Sequence, residues 1–291
     1  MPEQPSFTGA SFAIRVMLDN SITSHSQLAE RSMYSEKTPA GGEVCVAGFV
    51  RRPDTHDPNE LDALYTIGRL IREDRLHAFS YRELQIESWR RRADEMAFNA
   101  LAGCSIQHCN AAVERSRFTK TTKFQEYWAK GGKRDVRSGK DISVSQLRFV
   151  EWLLSLTDDL VEELIRWRET LGLTEFEIES LRTLGFFRSM CDAANKEDFP
   201  DMLHLWTAQR NRMDVFLTLD KGPARIAARF PATKASSAGF VPAILHPRQL
   251  LLRLGIENSD PVPIRFGYFY ADTGQVIRLN SMPRDVKPNR A

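Results

Sequence analysis

The sequence has little of what would place it outside the cell or within a bilayer. Its 291 residues include four cysteines, Cys45, Cys104, Cys109 and Cys191, at no disulfide-framework spacing, so they read as reduced thiols and the chain as cytoplasmic. No uncharged apolar run approaches the roughly 18 residues that cross a membrane, and Met1 to Ala10 lacks a basic segment followed by an apolar stretch, so neither a membrane partner nor a targeting segment is expected. There is no fixed-period repeat and no low-complexity tract, which excludes a solenoid and a long disordered arm. Charge of one sign is also missing. With 40 Lys+Arg against 38 Asp+Glu, total charge argues for no particular partner. Lys130-Gly131-Gly132-Lys133 lacks the P-loop form and gives no support to a nucleoside triphosphatase.

What is present is an ordinary globular composition, 42% hydrophobic and 27% charged, with ample sequence for a core. Ser11 to Leu18 is a short apolar run ending at Asp19-Asn20, as suits a buried strand. Glu43 to Val50 is a second β-leaning run. After Asp57-Pro58 the apolar residues Leu61, Leu64, Tyr65, Ile67, Leu70 and Ile71 recur at helical spacing, and Leu76 to Phe79 reads as strand. Ser80-Tyr81-Arg82-Glu83 has the form of a capping box, so a helix is expected from Ser80 onwards.

The middle of the chain differs in character. Ala111 to Lys140 holds nine Lys/Arg and three Asp/Glu, with Phe118, Phe124, Tyr127 and Trp128 interleaved, whereas Glu151 to Ser180 holds nine Asp/Glu and two Arg. Val150, Leu153, Leu154, Val161, Leu164 and Ile165 give the second stretch an apolar helical face. After Pro200 the alternation returns, with an amphipathic helix over Asp201 to Arg212, a buried strand Asp214 to Leu219 ending at Asp220, a strand Phe240 to Leu245, the helix PRQLLLRLG and a hairpin over Ile264 to Leu279. These runs predict an α/β fold: a central, mostly parallel sheet flanked by helices, built from residues 1–98 and 189–291, with a mainly helical insertion at 99–188 and a C-terminal β-hairpin.

Two of the expected strands end on an aspartate, Asp19 and Asp220, and two expected helices carry acids near their starts, Asp201 on one and Glu83 or Glu87 on the other. In an open parallel sheet the C-terminal strand ends and neighbouring helix starts share one crevice, so these acids converge there. Several carboxylates in one crevice repel unless hard cations neutralise them, and Mg²⁺ or Mn²⁺ is the natural counter-ion.

Four ordered segments, VMLDNS (16–21), FSYRELQIES (79–88), DMLHLWTAQRNRMDVFLTLDK (201–221) and HPRQLLLRL (246–254), resemble the PIN-domain ribonucleases. The resemblance covers about the first hundred and last ninety residues, and makes Asp19, Asp201 and Asp220 the first, third and fourth metal-binding catalytic acids. Glu83 and Glu87 compete for the second place; Glu83 already has the capping-box role, and Glu87 lies where the family's glutamate falls, so Glu87 is assigned. Thr218 matches a hydroxyl position that supports a metal-bound water. The family's first motif commonly has a small hydroxyl residue before Asn, whereas here Asn20 precedes Ser21; Asn20 and Glu83 are taken as supporting residues.

The implied activity is metal-dependent hydrolysis of single-stranded RNA to products bearing a 5′-phosphate. Arg115, Arg117, Lys120, Lys123, Lys133 and Arg134 offer phosphate contacts, although the same stretch also reads as a solvated loop or as a partner of the acidic stretch that follows. The alternative function is a catalytically inactive module of the same fold that binds RNA or a protein. An inhibitory protein partner, as many members of the family have, and a homo-oligomer are both compatible with the sequence. Cys104, His108 and Cys109 invite a zinc reading but lack a fourth ligand, and read better as buried thiols and a partly exposed histidine.

Overall fold

The computed structural model describes residues 13–52, 56–88, 98–118, 141–223, 225 and 241–279. Five short strands form its centre: β1 (Ile14–Leu18), β4 (Leu76–Ser80), β5 (Ile106–His108), β6 (Val215–Leu217) and β7 (Ala243–Leu245), in spatial order β5-β4-β1-β6-β7. Every pairing is parallel, with Val16 of β1 opposite Ala78 of β4 and Val215 of β6. The α/β architecture expected from the sequence is therefore present. The chain steps from β1 outwards to β4 and β5, then returns to build β6 and β7 on the other side. The C-terminal ends of β1 and β6 thus flank the point where strand order reverses, the place where open α/β sheets leave a crevice.

Side chains alternate across the sheet and feed two cores. On one face Val16, Leu18, Ala78, Val215 and Leu217 pack against Leu61, Leu64, Ile67, Leu70 and Ile71 of α2 (Pro58–Arg72) and against Leu250 and Leu251 of α11 (Pro247–Arg253). Asp57 caps α2 by accepting from the Asn59 amide at 2.9 Å, with Pro58 in the first turn. Gly68 lets α2 approach the loop beyond it, because a Cβ there would lie 1.9 Å from the Ala100 carbonyl oxygen.

On the other face Met17, Phe79 and Phe216 share one core with Phe149, Val150 and Leu153 of α5 (Asp141–Ser155), with Val161, Leu164 and Ile165 of α6 (Asp158–Arg166), and with Phe187 of α9 (Leu184–Asp192). The helices of 99–188 are thus a layer of the sheet's own core. The same segment also contains β5, whose three residues are all exposed; so short a run carries no alternation to read. Between α6 and α9 lie α7 (Arg168–Leu171) and α8 (Glu175–Arg182), the latter closed by a Thr174–Glu177 capping box.

A second, antiparallel sheet runs β2-β3-β8-β9, from β2 (Ala29–Lys37), β3 (Glu43–Arg51), β8 (Tyr268–Ala271) and β9 (Val276–Arg278). It incorporates the expected C-terminal hairpin, with Gly48 of β3 opposite Ala271 of β8. No helix among the described residues is long and apolar enough to cross a membrane.

Two local expectations need correction. The helix expected from Ser80 is α3 (Arg82–Ser88), two residues later, because Ser80 completes β4 and its carbonyl accepts from the Cys109 amide at 3.0 Å. The helix expected to be amphipathic after Pro200 is α10 (Phe199–Arg210), and Met202 to Ala208 are all buried. It lies between the sheet and its helical neighbours α5 and α9, so no stripe of it faces solvent.

Candidate functional site

Asp19 ends β1 and occupies the N-cap position of α1 (Asn20–His25), yet its carboxylate makes no capping hydrogen bond. It turns towards β6. Ser21 Oγ donates to its Oδ2 at 2.6 Å and Thr218 Oγ1 to the same oxygen at 2.7 Å. Each hydroxyl also accepts a backbone amide, Ser21 from Leu219 at 2.9 Å and Thr218 from Asp220 at 2.9 Å. A hydroxyl has one proton, so the 3.2 Å approach of the two hydroxyls is a contact enforced by their shared acceptor. Among the described residues no donor reaches Asp19 Oδ1. Thr218, fully buried, thereby fixes both Asp19 and the Asp220 backbone. Asn20 Oδ1 is buried with no hydrogen-bond partner among the described residues, and the hydrogen bonds to Asp19 come from Ser21 and Thr218.

Asp201 enters the same crevice from the first turn of α10. Burial pushes its carboxyl up to about 7, the nearby His204 opposes the rise, and Asp19, Asp220 and Asp198 add to it. These charges place Asp201 among the acids of the strand ends. Gly222 lies beside it: a Cβ there would meet Asp198 Oδ1 and Asp201 Oδ2, each at 3.5 Å. Asp198 is itself buried and pairs through Oδ2 with Arg225 at 3.3 Å. Asp220, at the C-terminal side of β6, is exposed.

Glu87 stands to one side of this group. Its Oε1 accepts from Gln146 Nε2 and from His204 Nε2, the latter at 3.2 Å. The other ring nitrogen of His204, Nδ1, lies 2.5 Å from the Tyr81 hydroxyl. Burial alone would lower the His204 pKa, but Glu87, by charge and hydrogen bond, followed by Asp19 and Asp201, outweighs it and raises it to about 9. The Glu87 carboxylate thus favours the protonated form of His204. Tyr81 is pushed well above the usual phenol range, by burial first and then by the charges of Glu83 and Glu87, so it stays protonated.

Glu83, the competitor of Glu87, has a structural partner: it is 4% exposed and bound by Arg115 of α4 (Arg115–Phe118), Nε to Oε1 at 3.0 Å and a second nitrogen to Oε2 at 3.1 Å. Arg117 is likewise engaged, with Nε 2.9 Å from Oε1 of the buried Glu177. Both guanidiniums assigned to phosphate contact thus face internal carboxylates. Lys120, Lys123, Lys133 and Arg134 lie outside the described residues. The buried thiols of Cys109 and Cys191 are pushed by burial up to about 12, which leaves them protonated and poor as nucleophiles or metal ligands.

Ser21, Tyr81, Gln146 and Gly222 are members of the site that residue type alone did not single out, whereas His204 is marked by its helical spacing from Asp201 as a residue that orients an acid. Only Ser21 carried a signal, as a hydroxyl next to the strand-end acid. The donor set of Asp19, Asp201 and Asp220 consists of carboxylate oxygens, and the rise of Asp201 to about 7 comes from burial and from the acids Asp19, Asp220 and Asp198; carboxylate oxygens suit a hard divalent cation. Among the described residues, however, no three His, Cys, Asp or Glu side chains form a ready-made metal-holding group. Magnesium commonly takes one or two carboxylates and completes its shell with water and substrate phosphate, so the donor chemistry fits without a closed protein cage. Comparison with protein-family models, curated proteins and solved structures finds no match to this chain.

Proposed function

We propose that this protein is a metal-dependent endoribonuclease of PIN type, a hydrolase acting on single-stranded RNA in the cytoplasm. The observation that supports the reading is the electrostatic proximity of Asp19 and Asp220 to Asp201 where strand order reverses, with the Asp201 carboxyl raised to about 7 by burial first and then by these acids, against the opposing His204. Mg²⁺ or Mn²⁺ bound by these three aspartates would activate a water and neutralise charge on the scissile phosphate. The protein's own residues prepare the place. Ser21 and Thr218 hold Asp19 in one orientation, α10 fixes Asp201 on a buried frame, and Gly222 leaves the Asp198 and Asp201 oxygens uncovered. The choice of RNA, and of 5′-phosphate products, rests on the resemblance of the four ordered segments to the family. An inhibitory protein covering the crevice belongs to the same reading.

That no three His, Cys, Asp or Glu side chains among the described residues form a ready-made metal group supports a second reading, a non-catalytic module that binds RNA or protein. One experiment separates the two: a labelled single-stranded RNA pool incubated with the protein, Asp19→Asn or Asp201→Asn, in Mn²⁺, Mg²⁺ or EDTA. The nuclease cleaves with metal, stops in EDTA, and loses cleavage in both folded variants. RNA binding without cleavage in every metal condition supports the module.

A further inference from the structure

We propose that Arg225, with Lys221 beside it, forms a phosphate-binding margin of the acidic crevice and takes the backbone of single-stranded RNA. The inference deepens the nuclease reading above and rests on it for the identity of the strand. Carboxylates repel a polyanion, so a protein that brings RNA to an acidic crevice needs fixed cations at its edge. The first two arginines of the basic stretch do not supply them, because Arg115 and Arg117 are held by the buried acids Glu83 and Glu177. The segment that follows Asp220 does.

Residues 221–223 and 225 are helical and come soon after Thr218, which bonds Asp19. Lys221 and Arg225 are four positions apart, a spacing that puts two side chains on one helix face, and both are exposed. Gly222 lies between them in sequence, and a Cβ on it would touch Asp198 Oδ1 and Asp201 Oδ2, each at 3.5 Å, so this turn sits directly against two carboxylates. A nitrogen of Arg225 reaches Asp198 Oδ2 at 3.3 Å, and its side chain remains 51% exposed against 12% for that of Asp198. The buried carboxylate is thus the anchor and the guanidinium is the open end. One contact leaves most of the five N–H donors of a guanidinium available, in the planar fork that grips a phosphate through two bonds. Arg115 differs on both counts: its side chain is 14% exposed and it bonds both oxygens of Glu83. Lys221 makes no ion pair or side-chain hydrogen bond among the described residues and adds a second charge at the same margin.

The test is the salt dependence of RNA binding, read by fluorescence anisotropy of a labelled single-stranded RNA of mixed sequence with the full-length protein in EDTA. Each variant is checked for folding by circular dichroism. Arg225→Ala and Lys221→Ala each weaken binding by about fivefold at low salt and reduce the slope of log K against log[salt] by roughly 0.7, the share of one phosphate on a single strand. Arg225→Lys keeps the charge and the slope. Arg182→Ala is the control and changes neither quantity: Arg182 is exposed on α8, which Arg210 bonds through Ser180 at the far end of α10, roughly 14 Å along the helix from Asp201. A merely structural Arg225, present to neutralise Asp198, would become dispensable in an Asp198→Asn background, whereas a phosphate contact is lost there by the same amount. An unchanged slope in both alanine variants, no effect of Arg225→Ala in the Asp198→Asn background, an equal loss in Arg182→Ala, or a wild type that binds no RNA overturns the inference. The nuclease reading fails separately: a wild type that binds RNA through these two residues yet cleaves none in Mn²⁺ refutes the hydrolase and leaves the phosphate-binding margin in place.

Discussion

Removing the charge of Asp201 should stabilise the metal-free protein, and only above mildly acidic pH. The carboxyl titrates at 3.8 in an unperturbed chain and at about 7 in the fold, so between those values the folded state holds a proton that the unfolded state has lost. Stability therefore falls as pH rises across that window and stays low above it. A difference of roughly three pKa units corresponds to about 4 kcal/mol at pH 8.5, and to under about 2 kcal/mol at pH 5, where most of the difference has yet to develop. The attraction of His204 is already inside that net shift, because it opposes the rise. Asparagine is close in shape and uncharged, so Asp201→Asn escapes the penalty, less the cost of burying an amide.

The assay is urea denaturation in EDTA at both pH values. The variant should exceed the wild type by about 2–4 kcal/mol at pH 8.5, with the gap narrowing below about 2 kcal/mol at pH 5. Saturating Mn²⁺ should reverse the order, since an ion that binds only the folded wild type raises its stability by mass action. A variant less stable than the wild type at pH 8.5 in EDTA, or a gap independent of pH, would refute the assignment of Asp201 as a strained, cation-seeking acid.

Three further outcomes follow from particular contacts. Gly222→Ala places its Cβ at ordinary contact distance, 3.5 Å, from the Asp198 and Asp201 oxygens and should cleave RNA nearly as well as wild type, whereas Gly222→Leu covers those oxygens and should lose cleavage by about a hundredfold; equal rates in two folded variants would mean that the opening does not matter. Gly68→Ala drives a Cβ to 1.9 Å from the Ala100 carbonyl and should cost about 1–3 kcal/mol, seen as a lowered Tm; an unchanged Tm would show that α2 has room to move. Arg115→Ala strands the buried Glu83 and should destabilise the fold by about 3 kcal/mol while the salt dependence of RNA binding stays as it was, and a salt slope smaller by about one would instead make Arg115 a phosphate contact.

The parts of this architecture that the sequence discloses are those in which one local rule dominates. VML before Asp19 and VFL before Thr218 are apolar because parallel strands are covered on both faces, and α2 is marked by Asp57, Pro58 and its spacing of Leu and Ile. The strand β2, AERSMYSEK, escapes notice because most of it is exposed and its polar residues mimic a loop. Ser80 misleads because a capping pattern was also the last residue of a strand, and pairing with β5 decided between them. For the site, topology foretells that Asp19 and Asp220 share a crevice. It cannot foretell which acid finds a basic partner, because Glu83 with Arg115 and Glu87 with His204 meet through packing between elements remote in sequence.

That partnering is where the physics of the fold bears on function. Glu83 and Glu177 are 4% and 3% exposed, and a carboxylate buried that deeply without a cation costs several kcal/mol; each has an arginine, Arg115 and Arg117, at 3.0 and 2.9 Å. The basic stretch that suggests phosphate binding therefore spends its first two arginines on internal acids. Asp201 is treated differently. No arginine or lysine among the described residues pairs with it, the charge that opposes its rise is the histidine already paired with Glu87, and its carboxyl rises to about 7. A helix buried from Met202 to Ala208 anchors it in a half-buried position. The fold pairs Glu83 and Glu177 with arginines and leaves Asp201, raised by burial and by Asp19, Asp220 and Asp198, with His204 as its opposing charge, which is the difference that the proposed metal site would use.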